Sequence, residues 1–137
     1  QDMVQQRLRE LCSGVALGFG ATATVHYERI YPATINTEKE AAFAADVAET
    51  LVGPDHVNRD MEPSMGAEDF AYVLQAKPGA YLFLDNGDGS HREMGHGGGP
   101  CTLHNPSYDF NDDLIPLGGT FWVRLAEEWL AAQAKAA

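Results

Sequence analysis

The chain is poor in cysteine, in basic side chains and in long apolar runs. Cys12 and Cys101 are the two cysteines among 137 residues, too few for a disulfide-built scaffold, and two free thiols of a reducing cytoplasm are the expectation. Nine Lys and Arg stand against 20 Asp and Glu, a net charge of −11. A nucleic-acid backbone or an anionic membrane needs a basic partner surface, so both are excluded as expected partners. No apolar run approaches the roughly 20 residues that span a bilayer. The polar opening QDMVQQRLRE has no leader pattern. It also has no initiator Met, which reads as a chain cut from something longer. The patterns G-x-S-x-G, H-E-x-x-H, the P-loop and the dinucleotide fold's glycine signature are all missing.

What is present suits a globular domain with a core: 45% of residues are hydrophobic and 21% charged. Val4, Leu8, Leu11, Cys12 and Val15 recur at helical steps and predict an opening helix that ends near Gly18 and Gly20. ATATVHYERIY then alternates, as a strand with one wet face does. Thr37 followed by Glu40 fits a capping box for a second helix with Phe43, Val47, Leu51 and Val52 as its buried stripe. Gly66 precedes a third helix, with Glu68 and Asp69 expected in its first turn. AYLFLD reads as a strand buried on both faces. Leu114, Leu117, Phe121, Leu125 and Trp129 mark a closing helix whose first turn tolerates Pro116. Helices alternating with strands predict an α/β fold.

Residues 86–112 form a long glycine-rich loop just after the apolar strand, and loops of this length usually carry function. It holds His91, His96, Cys101 and His104, all of metal-ligand type. From the residues alone three readings stay open. The four gather a structural zinc in a non-catalytic module, His104 alone is a metal ligand, stiffened by Pro106 and oriented by Asp109, or His104 is a hydrogen-bonded structural residue of the loop. Separately, the backbone N–H groups of SMGAEDF could face a substrate carboxylate, or the segment could simply start a helix.

MGAEDFAYVLQAKPGAYLFLDNGDG, with GPCTLHNPSYDFNDDLIPLGG after it, resembles the C-terminal part of an M20-type metallopeptidase. The likeness is to the branch of hippurate hydrolases and N-acyl-amino-acid amidohydrolases. Blocks 65–70, 78–84 and 103–112 carry it. YPATIN at 31–36 is similar to the segment that leaves the family's lid domain and re-enters its catalytic domain. The resemblance implies a partial three-layer α/β/α catalytic domain over 37–137 and a helix–strand remnant of the lid over 1–36. It implies two divalent metal ions, zinc or manganese, and hydrolysis of an amide next to a free carboxylate in an N-acyl-amino acid or small peptide.

Residue by residue, His104 matches the family's last metal ligand. Gly66 and Glu68 match the segment beside the substrate pocket, and Asn36 a lid-side position near the substrate's carboxylate end. Cys101 falls at a variable position. The family's other metal ligands and its general base lie in its N-terminal part. The resemblance therefore places no catalytic residue in this chain. It implies a fragment that is inactive alone, binds no metal by itself, and forms homodimers, since an unpaired strand over 21–31 has open edges; the two cysteines make the cytoplasm its expected location.

Overall fold

The structure is a computed structural model that describes residues 1–92 and 99–136. It divides into two compact units, Gln1–Pro32 and Ala33–Ala137. The first is built on helix α1 (Asp2–Gly18). The helix stops in a Schellman motif: the amide of Ala21 donates to the carbonyl of Ala16 at 2.9 Å, and that of Gly20 to Leu17 at 3.0 Å. Gly20 has φ +66, the left-handed conformation that a residue without Cβ adopts freely. Arg29 ties the following segment back to the helix start. Its Nη2 donates to Asp2 Oδ1 at 2.6 Å and its Nε to Gln5 Oε1 at 3.1 Å. The guanidinium holds the Asp2 carboxyl below its ordinary value.

The expected buried stripe of this helix is not buried. Val4, Leu11 and Val15 are exposed, and the half-buried positions are Gln5, Cys12 and Ala16. The alternation after the helix does survive in exposure. Ala23, Val25 and Tyr27 are half-buried between exposed Thr22, Thr24, His26 and Glu28.

In the second unit α2 (Glu38–Val52) packs on α4 (Leu114–Ala136). Ala44, Ala45 and Val47 on α2 and Ala71 on α3 (Phe70–Ala76) are the buried core. Phe43 meets Trp129 edge-to-face at 5.3 Å between centroids, and the Lys39 ammonium lies 5.9 Å from the same indole. Leu114, Leu117, Phe121, Leu125 and Trp129 are the half-buried stripe of α4, as their spacing predicts. Among the described residues no helix is long and apolar enough to cross a membrane.

The expected α/β architecture is corrected here. Among the described residues there is no strand, so neither the three-layer α/β/α domain nor the helix–strand remnant forms as such. A strand exists only as a ladder with a neighbour. Residues 21–31 find a helix and an arginine tether where a ladder partner was needed. Residues 80–85 find little more. One backbone bond, Thr37 N–H to Gly79 C=O at 2.9 Å, stands where a row was expected. Leu82, Phe83 and Leu84 are accordingly exposed rather than buried on both faces.

Two helix starts also differ. The Thr37 hydroxyl accepts the Gly79 amide at 3.1 Å instead of capping α2, so the capping box does not form. Glu40 Oε2 is left buried, with no partner among the described residues. Helix α3 begins at Phe70, which leaves Glu68 before it rather than in its first turn.

Candidate metal and substrate site

Three of the four residues singled out as site residues lie in two places on the second unit. The first place is Tyr81. Asn36 grips its main chain at both ends: Nδ2 donates to the Tyr81 carbonyl at 2.9 Å, and Oδ1 accepts the Tyr81 amide at 2.7 Å. A primary amide presents one donor and one acceptor side by side, as a paired strand residue does, so Asn36 stands in for the missing ladder. One N–H and one lone pair of its amide remain for other partners. The phenol of Tyr81 donates to Glu68 Oε2 at 2.9 Å, and the Phe70 amide approaches Glu68 Oε1 at 3.5 Å. Asn36 and Glu68, 32 positions apart in sequence, thus meet through one tyrosine. Phe70 and Phe83 flank its ring, at 5.7 and 5.4 Å between centroids. Gly66 does not join them. It is exposed, and its amide donates to Ser64 Oγ at 3.3 Å.

This contact shifts both ionisations. The Tyr81 hydrogen bond, with lesser help from Asp69 and the Phe70 amide, lowers the Glu68 carboxyl below its ordinary 4.5. The Glu68 charge raises the Tyr81 phenol above its ordinary 10.0, with burial and Asp69 adding to it. A lowered carboxyl contributes stability above its unfolded value and loses it as pH falls through the folded one; a raised phenol contributes below its unfolded value and loses it as pH rises through the folded one. The Tyr81–Glu68 bond is therefore expected intact from below pH 4.5 to above pH 10.0. NMR of the Tyr81 ring across that range checks this, and a phenol titrating at or below 10.0 would contradict it.

The second place is the loop. Asn105 N–H donates to Thr102 C=O at 3.2 Å, closing a turn over 102–105 with His104 as its third residue. His104 has φ +65 and is the non-glycine residue with positive φ among those described. Gly or Asn is the usual occupant of such a position; a histidine costs about 1–2 kcal/mol there. Its side chain is exposed and makes no hydrogen bond among the described residues. A second turn follows directly, closed by Tyr108 N–H to Asn105 C=O at 3.0 Å. The Ser107 amide and hydroxyl both lie against Asn105 Oδ1, at 2.9 and 2.6 Å. Gly99 passes so close that a Cβ on it would stand 2.9 Å from Ser107 Cβ.

The loop is held to the chain before it by a second asparagine. Asn86 Nδ2 donates to the Asp109 carbonyl at 2.8 Å, and Asn86 Oδ1 accepts the Asn111 amide at 2.8 Å. His91 Nε2 and Cys101 Sγ lie 3.0 and 3.5 Å from the same Asp109 oxygen, and Arg92 Nη1 donates to the Gly99 carbonyl at 2.8 Å. Asn111 leads into α4: its Oδ1 accepts the Asp113 amide at 3.2 Å and its carbonyl the Leu114 amide at 3.0 Å. The turn that displays His104 is thus anchored from several sides.

Residues 5–128 match the peptidase family M20/M25/M40. The chain belongs to this family. It is 27% identical to a hippurate hydrolase of Campylobacter jejuni over 93% of this chain and 30% of that protein. It is 29% identical to the IAA-amino acid hydrolase ILR1-like 6 of Arabidopsis thaliana, over 93% of this chain and 27% of that one. Against a thermostable carboxypeptidase 1 of Saccharolobus solfataricus it is 30% identical, over 87% of this chain and 28% of the other. The chain thus spans under a third of the length of these relatives. No solved structure matches it.

M20 proteins are generally metal-dependent. Among the described residues, no group of three or more His, Cys, Asp or Glu is placed to hold a metal ion. A catalytic zinc needs three protein ligands, and His104 can be one of them. The described residues therefore do not complete a metal centre. Of the four residues weighed for a structural zinc, His91 and Cys101 converge on the Asp109 carbonyl, His104 bonds to neither, and His96 lies outside the described residues. Cys12 and Cys101 are both free.

Two residues of this M20 chain were not singled out from sequence. Tyr81 lay hidden in an apolar run, although a phenol there needs a hydrogen-bond partner and that need was the available signal. Asn86 sits in NGDG and reads as a turn residue; nothing local marks it as the clip for residues 109–111.

Proposed function

We propose that this chain is the C-terminal portion of a longer metal-dependent amidohydrolase that cleaves an amide beside a free carboxylate, in an N-acyl-amino acid or a small peptide. In this reading residues 37–137 belong to the catalytic domain and 1–36 to the lid. His104 is the last of the metal ligands, and Asn36, Gly66 and Glu68 line the substrate side. Two divalent ions, zinc or manganese, would polarise the carbonyl and activate water when bound. The rest of the ligands and the general base come from outside these residues, so the chain alone is inactive. The longer protein works as a homodimer in the cytoplasm.

The observation that carries this reading is the backbone of His104. A residue held at φ +65 in a doubly anchored turn, with its imidazole unbonded among the described residues, makes sense when the imidazole itself is needed. The relatives support the chemistry, since two carry hydrolase in their names and one carboxypeptidase. The test is an assay of the longer protein on hippurate and related acyl-amino acids. Release of the free amino acid should need zinc or manganese, stop with a chelator and return on metal addition. The isolated 137 residues should release none. Equal hydrolysis by the isolated chain, or none that depends on metal in the longer protein, would contradict the proposal.

A further inference from the structure

The Asn36–Tyr81–Glu68 chain carries a step beyond that reading, and rests on it. Asn36 spends both ends of its amide on the Tyr81 main chain. It therefore fixes where Tyr81 is, not only where its own side chain is. The phenol, wedged between Phe70 and Phe83, spends its one proton on Glu68. Glu68 also meets Asp69 and, at 3.5 Å, the Phe70 amide. The residue is half-buried and precedes the short helix α3, whose Ala71 amide donates to its main-chain carbonyl at 3.3 Å. Tyr81, at 2.9 Å, is the foremost of the groups that hold its carboxylate.

From this geometry we infer that Tyr81 is a positioning residue of the substrate site: it aims Glu68. An anion in that place excludes the substrate's own carboxylate from Glu68 and accepts an N–H of the substrate instead, either the amide N–H or an ammonium. The substrate carboxylate then belongs on the Asn36 side, where one amide N–H is still free. The two ends of the substrate are sorted by one tyrosine that touches neither.

A double-substitution cycle in the longer, metal-loaded protein tests this. Tyr81→Phe removes one hydroxyl and keeps the ring packing; Glu68→Gln removes the charge and keeps the shape. Each should raise KM for an acyl-amino acid about tenfold and leave kcat within about threefold, the scale of one hydrogen bond to a charged group. The two together should be no worse than Glu68→Gln alone, because Tyr81 acts through Glu68. Thermal unfolding of each variant shows that the fold persists. Unchanged KM in Tyr81→Phe, or effects that simply add, overturns the inference and leaves the hydrolase reading standing. No amide hydrolysis by the unsubstituted, metal-loaded protein overturns both.

Discussion

Replacing His104 with glycine should cost the longer protein more than about 100-fold in amide hydrolysis while leaving the fold as stable as before, or more so. The two halves of this expectation have separate causes. Losing a residue that merely orients a metal ligand costs 10–100-fold, so losing the ligand itself should exceed about 100-fold. Stability moves the other way. The histidine sits at φ +65, where L side chains are strained by about 1–2 kcal/mol and glycine is not. Glycine gives back roughly 0.5–1 kcal/mol through its freer unfolded chain. The net is between zero and about 1.5 kcal/mol of stabilisation. His104→Ala should lose the same activity without that relief. A structural histidine would behave in the opposite way, with stability falling and hydrolysis surviving in proportion to folded protein. Unfolding midpoints beside specific activities for the three side chains decide the matter.

The second large effect is expected at Asn86. Its amide holds the Asp109 carbonyl and the Asn111 amide at 2.8 Å each, and the Asn111 carbonyl accepts the first amide of α4. Asn86→Ala leaves the Asn111 N–H without its acceptor and frees one side of the loop carrying His104. An unmade bond of this kind costs about 1–3 kcal/mol. Hydrogen exchange at the Asn111 amide should therefore accelerate by about ten- to hundredfold, while amides in the middle of α2 keep their protection. Asn86→Asp should give a smaller change, because a carboxylate still accepts the Asn111 amide but cannot donate to Asp109. Unaltered exchange at Asn111 in Asn86→Ala would show that the loop is held without the clip.

These two positions also show how far sequence reading reached. The helices were legible because their signal is local and periodic. The α4 stripe and the burial of Val47 follow from spacing alone. The strands were not, because alternation records which side chains turn inward and says nothing of whether a ladder partner exists. Ala23, Val25 and Tyr27 keep the inward pattern without any ladder. The capping box failed for a related reason. Thr37 chose between a local amide and Gly79, 42 positions away, and the distant one won. In the site, His104 was visible as a residue type in a motif, whereas its backbone strain was not. Tyr81 stayed hidden, since its partners Asn36 and Glu68 are joined only by the fold.

The most direct test of the central claim is the position of the His104 ring relative to metal in the longer protein. Crystals grown with zinc or manganese, with the ions located by anomalous scattering, would show it. A ring nitrogen of His104 should lie about 2.0–2.1 Å from a zinc ion, with the turn over 102–105 still at positive φ. An occupied metal centre built wholly from other residues, with the His104 imidazole turned away into solvent, would contradict it.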